Sequence, residues 1–187
     1  MPTISAMKAA SAKVESIEGR RSRRAGPAKA EDIADEIIRQ LGDLSIGSIY
    51  RDKIRTQRTR QYELRAATKK SSIEVLHTLL GIELKVGNRR LLCPDLATAR
   101  YLSVFARFGC DVIAVPYDIT QISWIADELE STWHRMMLLI DHFTEGRTER
   151  LRSAVRRRLI GEARTAIEEL GAGSKFPEFK PVRRRPR

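Results

Sequence analysis

Seven apolar residues in the last third of the chain, Ile122, Ala126, Leu129, Trp133, Met136, Ile140 and Phe143, recur at alternating steps of four and three. That spacing draws a single apolar seam along a helix of about six turns. Such a helix gains its stability by burying the seam against another surface. The sequence supplies a matching one close by. Glu145-Gly146-Arg147 breaks the helix, and Leu151, Val155, Leu159, Ala163, Ile167 and Leu170 then make an apolar side for a second helix. Two helices joined by so short a break are expected to fold back as an antiparallel hairpin. Trp133, at the centre of the seam, is expected to pack within the chain rather than against a second copy. Asp118, with Gln121 three residues later, is the expected cap of the first helix.

Upstream, Ile33, Ile37, Ile38 and Leu41 sit at helical spacing, acids crowd the first turns, and Gly42 stands where a helix would stop. Residues 48–70 hold good helix formers with almost no apolar face, which reads as a solvated helix or one that orders on a partner. Ser71 and Glu74 have capping-box spacing for a short helix through Leu80, its Ile73, Leu76 and Leu80 facing one way. Ile82-Glu83-Leu84-Lys85-Val86 alternates apolar and charged residues, Gly87-Asn88 makes a tight turn, and Arg89 to Cys93 returns. That is a β-hairpin signal. Pro94-Asp95 opens a helix with Leu96, Ala99, Leu102, Phe105 and Phe108 as its buried side, ended by Gly109. Val112 to Pro116 is a short apolar strand, placed most simply beside the hairpin as a third strand. The expected fold is therefore one helix-rich α/β (α+β-like) domain over residues 30–172. It has a small sheet of hairpin plus third strand, covered by helices, and the long C-terminal helical hairpin.

Charge is distributed unevenly over this frame. The chain has a net charge of +11, of which residues 1–30 carry +5 and residues 173–187 another +5. Residues 1–29 and 173–187 read as disordered basic arms, with Arg20, Arg21, Arg23 and Arg24 in one and Arg183, Arg184 and Arg185 in the other. Within the body, residues 51–70 carry +6 and include Arg51, Lys53, Arg55, Arg58 and Arg60. On the last helix Arg147, Arg150, Arg157, Arg158 and Arg164 fall within an arc of roughly 120° opposite the apolar stripe. Clustered cations of this kind bind polyanions by displacing condensed counterions, and they also serve simply as solvated surface.

Catalytic signatures are weak. Glu83-Leu84-Lys85 matches the Glu-x-Lys element of metal-dependent nucleases, but no acidic strand precedes it, and Asp95 follows it in the chain. Alternation places Glu83 and Lys85 on the solvent face of their strand. Glu130 and His134 have chelating spacing, yet Asp127, His134 and Asp141 fall at the heptad position farthest from the seam. His77 is the histidine nearest an apolar surface. Asp118 follows a strand, where α/β enzymes often keep catalytic groups, but a helix cap is the simpler role. There is no GxxxxGK[ST] or GxGxxG loop and no CxxC, and Cys93 and Cys110 lie in apolar surroundings as expected of reduced core thiols. No metal and no cofactor is called for. No stretch of the sequence is long and apolar enough to span a membrane. The first 14 residues lack a secretory core; an organelle transit peptide is their secondary reading, against a cytoplasmic expectation.

With aromatic residues at only 6% and Trp124 flanking the seam, no stacking platform is apparent, so contact with the phosphate backbone is favoured over base readout. The leading expectation is a non-enzymatic nucleic-acid-associated protein, RNA slightly before DNA because no recognition helix follows a helix-turn. A protein–protein adaptor, or self-association, through the helical hairpin is the alternative. A metal-dependent nuclease is the third reading.

Overall fold

The computed structural model describes residues 29–64 and 72–172. Both basic arms lie outside these limits. The first helix, α1 (Ala30–Leu41), turns Ile33, Ala34, Ile37 and Leu41 inward and places Glu31 and Asp32 in its first turn. Gly42 ends it at φ 50°, a conformation that favours glycine. A tight 3₁₀ turn leads to Ser45, whose hydroxyl accepts the Ser48 N–H at 3.2 Å and caps the short helix α2 (Ile46–Ile49). The helix widens through Tyr50–Ile54 into a π turn, with the Arg55 N–H donating to the Tyr50 carbonyl five residues back.

This segment departs from the sequence expectation. Residues 48–54 are helical but docked, because Ile49, Tyr50 and Ile54 are all fully buried. The extra residue in a π turn alters the spacing on which an apolar face would be recognised. The chain then becomes β1 (Thr59–Glu63) instead of continuing as helix.

A second correction concerns residues 73–80. Instead of a helix they form β2 (Ile73–Thr78), paired antiparallel with β3 (Gly81–Val86), which pairs in turn with β4 (Arg89–Cys93). Ser71 lies outside the described residues. Glu74 faces Lys85 across the β2–β3 pair and bonds to it at 3.2 Å. In Ile73–Thr78, Ile73, Val75 and His77 alternate with Glu74, Leu76 and Thr78, and that alternation, reinforced by β-branched residues, prevailed over a capping-box match. The expected β3–β4 hairpin is present in its expected register.

After it comes α3 (Leu96–Phe108), capped by the Asp95 carboxylate, which accepts the Thr98 N–H at 2.7 Å. Leu96 is 41% exposed and so is not part of the buried side, whereas Ala99, Leu102, Phe105 and Phe108 are. Then follow β5 (Val112–Pro116), α4 (Ile119–Phe143) and α5 (Glu149–Leu170).

β5 does not join the hairpin. It pairs antiparallel with β1, from Thr59 opposite Pro116 to Glu63 opposite Val112, giving separate two- and three-stranded sheets. Two phenols account for where the smaller sheet stops. At Ala114 the N–H donates to the Tyr50 hydroxyl at 3.1 Å, and the carbonyl accepts the Tyr101 hydroxyl at 2.6 Å. These are the groups a further strand would engage, and both tyrosines are buried. The Tyr50 hydroxyl also donates to the Gly171 carbonyl at 2.9 Å, which fastens the end of α5 to the same point.

α3 runs through the middle of the core, with α4 and the three-stranded sheet packed on it. The α4 seam is buried as expected from Ile122 to Ile140. Its chief aromatic contact is Phe108 of α3, edge-on to Trp133 at 5.1 Å and 87°. α5 folds back on α4, but it packs more extensively on α1, and Val155, Leu159 and Ile167 are its buried residues. Among the described residues, no helix is long and apolar enough to cross a membrane.

Candidate nucleic-acid interface

The β1–β5 pairing brings two distant parts of the sequence together. One residue beyond the strand, the Tyr117 N–H donates to the Arg58 carbonyl at 3.2 Å. Residues 53–60 thereby lie against the start of α4. The Arg58 guanidinium stands 5.1 Å from the centre of the Tyr117 ring and that of Arg60 at 6.0 Å. The Lys53 ammonium sits 4.8 Å from the centre of the Trp124 ring and pairs with the Glu128 carboxylate. Gln121, Trp124 and Glu128 follow one another at helical spacing, so they form one edge of α4 facing this segment. A shallow open groove of about 430 Å³ is lined by Gln57, Arg58, Tyr117, Asp118 and Gln121. Asp118 caps α4 by accepting from the Thr120 N–H and hydroxyl at 2.9 and 2.7 Å. Those bonds hold its carboxyl below the usual range, as suits a helix cap.

The cations here are not equivalent. Arg51 is tied to its neighbour Asp52 at 2.8 Å, which raises the guanidinium pKa and lowers that of the carboxyl. Arg55 exerts its charge on the Tyr50 phenol, favouring the phenolate against the burial that disfavours it. Arg58 and Arg60 form no ion pair among the described residues. They are the members of this segment best placed to engage phosphate.

The arginine row on α5 is divided. Arg158 reaches Glu162 at 3.0 Å, and Asp35 and Glu31 on α1 at 3.6 and 4.0 Å. Arg164 bonds to Glu168 at 2.6 Å and closes over the end of α3 at Gly109. Arg147, Arg150 and Arg157 remain exposed, with no ion pair among the described residues. Arg20, Arg21, Arg23, Arg24, Arg183, Arg184 and Arg185 lie outside the described residues.

The acidic and lysine candidates for catalysis make contacts of their own. Glu83 is not the solvent-facing residue that alternation implied. It is 7% exposed, flanked in register by Leu76 and Leu92, and bonded weakly to Thr78 and Arg90 at 3.4 Å. The leucines on either side shield a carboxylate that the pattern alone would leave in water. Lys85 is paired with Glu74, and Asp95 is occupied as the α3 cap. Glu130 and Asp127 both hold Arg100, at 2.5 and 2.8 Å, and His134 is exposed. His77 is exposed as well. Cys93 and Cys110 are buried free thiols, and burial pushes Cys110 up to about 12, far from reactive thiolate.

No protein-family model, no curated protein and no solved structure matches the chain. The candidate surface is therefore described by its own geometry. Of the residues grouped on this surface, sequence reasoning named Lys53, Arg58 and Arg60 as candidate contacts, but not Gln57, Tyr117, Gln121 or Trp124. The link between Arg58 and Tyr117 is a strand pairing across more than fifty positions, and no local periodicity encodes it. The signal present was Trp124 itself, a large aromatic flanking the seam.

Proposed function

We propose that this protein is a non-enzymatic nucleic-acid-binding protein of the cytoplasm, with RNA the favoured ligand. The observation that carries the reading is the grouping of Lys53, Arg58 and Arg60 with Tyr117 and Trp124 on one surface. Arginines without carboxylate partners are free to exchange counterions for phosphates, and such contacts supply most non-specific affinity. The exposed Arg147, Arg150 and Arg157 and the two basic arms extend the same field. The occupied state of Glu83, Lys85 and Asp95 supports binding without cleavage.

The test is a titration of the full chain with mixed-sequence RNA and DNA over a series of salt concentrations. Affinity should fall steeply and log-linearly with salt, and Arg58→Ala with Arg60→Ala should reduce both affinity and slope. Binding that is absent at low salt would refute the reading, and Mg²⁺-dependent cleavage of either polymer would restore the nuclease.

A protein–protein adaptor is the second reading, but on a different surface from the helical hairpin, whose seam is consumed by the core. Leu79 at the β2–β3 turn is fully exposed, Leu80 is 80% exposed and Leu92 is 58% exposed. Exposed leucines grouped in this way favour an apolar partner.

A further inference from the structure

Trp124 is the most unusual residue of the interface. Its indole is 57% exposed, as is Ile119 at the first turn of the same helix (59%), whereas Ile122 and Ile125 between and beside them are buried. Packing does not explain its position. Its ring contact is a cation, Lys53, anchored from behind by Glu128. One helical turn before it, Gln121 lines the groove shared with Gln57, Arg58 and Tyr117, and the Arg58 and Arg60 guanidiniums stand against the Tyr117 ring. An exposed indole with a lysine beside it and arginines further along the same groove is a combination that holds unpaired bases: the ring stacks while the cations follow the backbone. A duplex cannot use it, since its bases are already stacked on one another.

We infer that Trp124 is a stacking platform for a base of single-stranded nucleic acid, whose adjoining phosphates are held by Arg58 and Arg60. The inference rests on the nucleic-acid reading above and narrows it from backbone contact to strand discrimination. It departs from the expectation, drawn from a low aromatic content, that no stacking platform is present. The two aromatics come from a strand end and a helix face, so their common surface is invisible in the linear chain.

Intrinsic fluorescence separates this site from the arms. Trp133 is 6% exposed and inaccessible to a ligand, so quenching on binding reports Trp124. The full chain is titrated with short oligouridylate, oligothymidylate and a duplex of equal length, alongside Trp124→Phe and Trp124→Ala. Both single strands should quench the wild type, and the duplex should not. Trp124→Phe should bind with nearly unchanged affinity and lose the quench. Trp124→Ala should bind single strands about 5- to 100-fold more weakly while its duplex affinity holds. Exposure of the indole means that both variants should keep the wild-type circular dichroism and melting curve. Salt-dependent binding of single strand and duplex alike, with no quench and no effect of Trp124→Ala, overturns the stacking inference and leaves the backbone reading standing. Failure of every polymer to bind at low salt overturns both.

Discussion

At the scale of single residues, the best-defined device in the fold is the pair of phenols at Ala114. Each satisfies one of that residue's backbone groups in a dry setting, and burial raises the pKa of both hydroxyls. Tyr101→Phe removes one donor and leaves the Ala114 carbonyl without that partner in the core. It should lower stability by about 1–3 kcal/mol, read as a shift in the urea midpoint at constant m-value. Tyr50→Phe should cost more, because it also strands the Ala114 N–H and releases Gly171. A second residue makes stability depend on alkaline pH. The Cys110 thiol is pushed by burial from 9.0 up to about 12, opposed by Arg164 and reinforced by Glu168 and Asp111. The folded chain thus holds this proton when the unfolded chain has released it. The contribution is intact below the unfolded value and is lost as pH rises from about 9 toward 12, at about 1.4 kcal/mol per pH unit. Urea melts at about pH 8 and about pH 10 should show a smaller loss in Cys110→Ala than in the wild type, although the tyrosines leave a residual slope. Equal losses in the two proteins would mean that the thiol titrates alike folded and unfolded.

At the scale of elements, α3 and α4 hold the core together, and their contact is where Trp133 belongs. Its indole meets Phe108 edge-on, while Arg107 and Arg156 stand 5.6 and 5.9 Å from the ring centre. Trp133→Ala should open a cavity costing about 3–5 kcal/mol and unfold much of a marginally stable domain at every concentration tested. A folded variant whose sole change is a lost oligomer would show that the seam is an interface. This seam illustrates which elements can be read from sequence. α1, α3, α4, α5 and the β3–β4 hairpin were legible because each carries its own period and its own punctuation, such as Gly42, Asp95, Gly109 and Gly146. β1 and β2 were not. Thr59–Glu63 is a strand because Val112–Pro116 lies beside it, and that partner is remote in sequence. Ile73–Thr78 satisfied a helical and a β pattern at once, and only its pairing with Gly81–Val86 decides between them. The candidate site fails to show for the same reason: its cations lie on one side of such a pairing and its aromatics on the other.

At the scale of the whole molecule, the question is how the arms and the folded surface divide the work of binding. The described body is close to neutral, since residues 29–172 carry a net charge of only +2, while 1–28 and 173–187 carry +4 and +5. On the proposed reading, most of the long-range attraction for a polyanion would therefore belong to the arms, and the surface around Trp124 would supply short-range contacts. The two contributions should separate on truncation. Among the described residues the core lies between Ala30 and Leu170, so a chain of residues 29–172 should keep the melting temperature of this body. Its affinity for RNA should drop sharply at low salt, and the slope of log affinity against log salt should flatten by about 0.7 to 0.9 for each phosphate contact removed. Quenching by oligouridylate at saturation should survive, because the indole and its neighbours remain. Unchanged affinity and slope in the truncated chain would instead place the charge contacts on Arg58, Arg60 and the exposed α5 arginines. Loss of the quench at saturation would mean that the arms themselves seat the strand on Trp124.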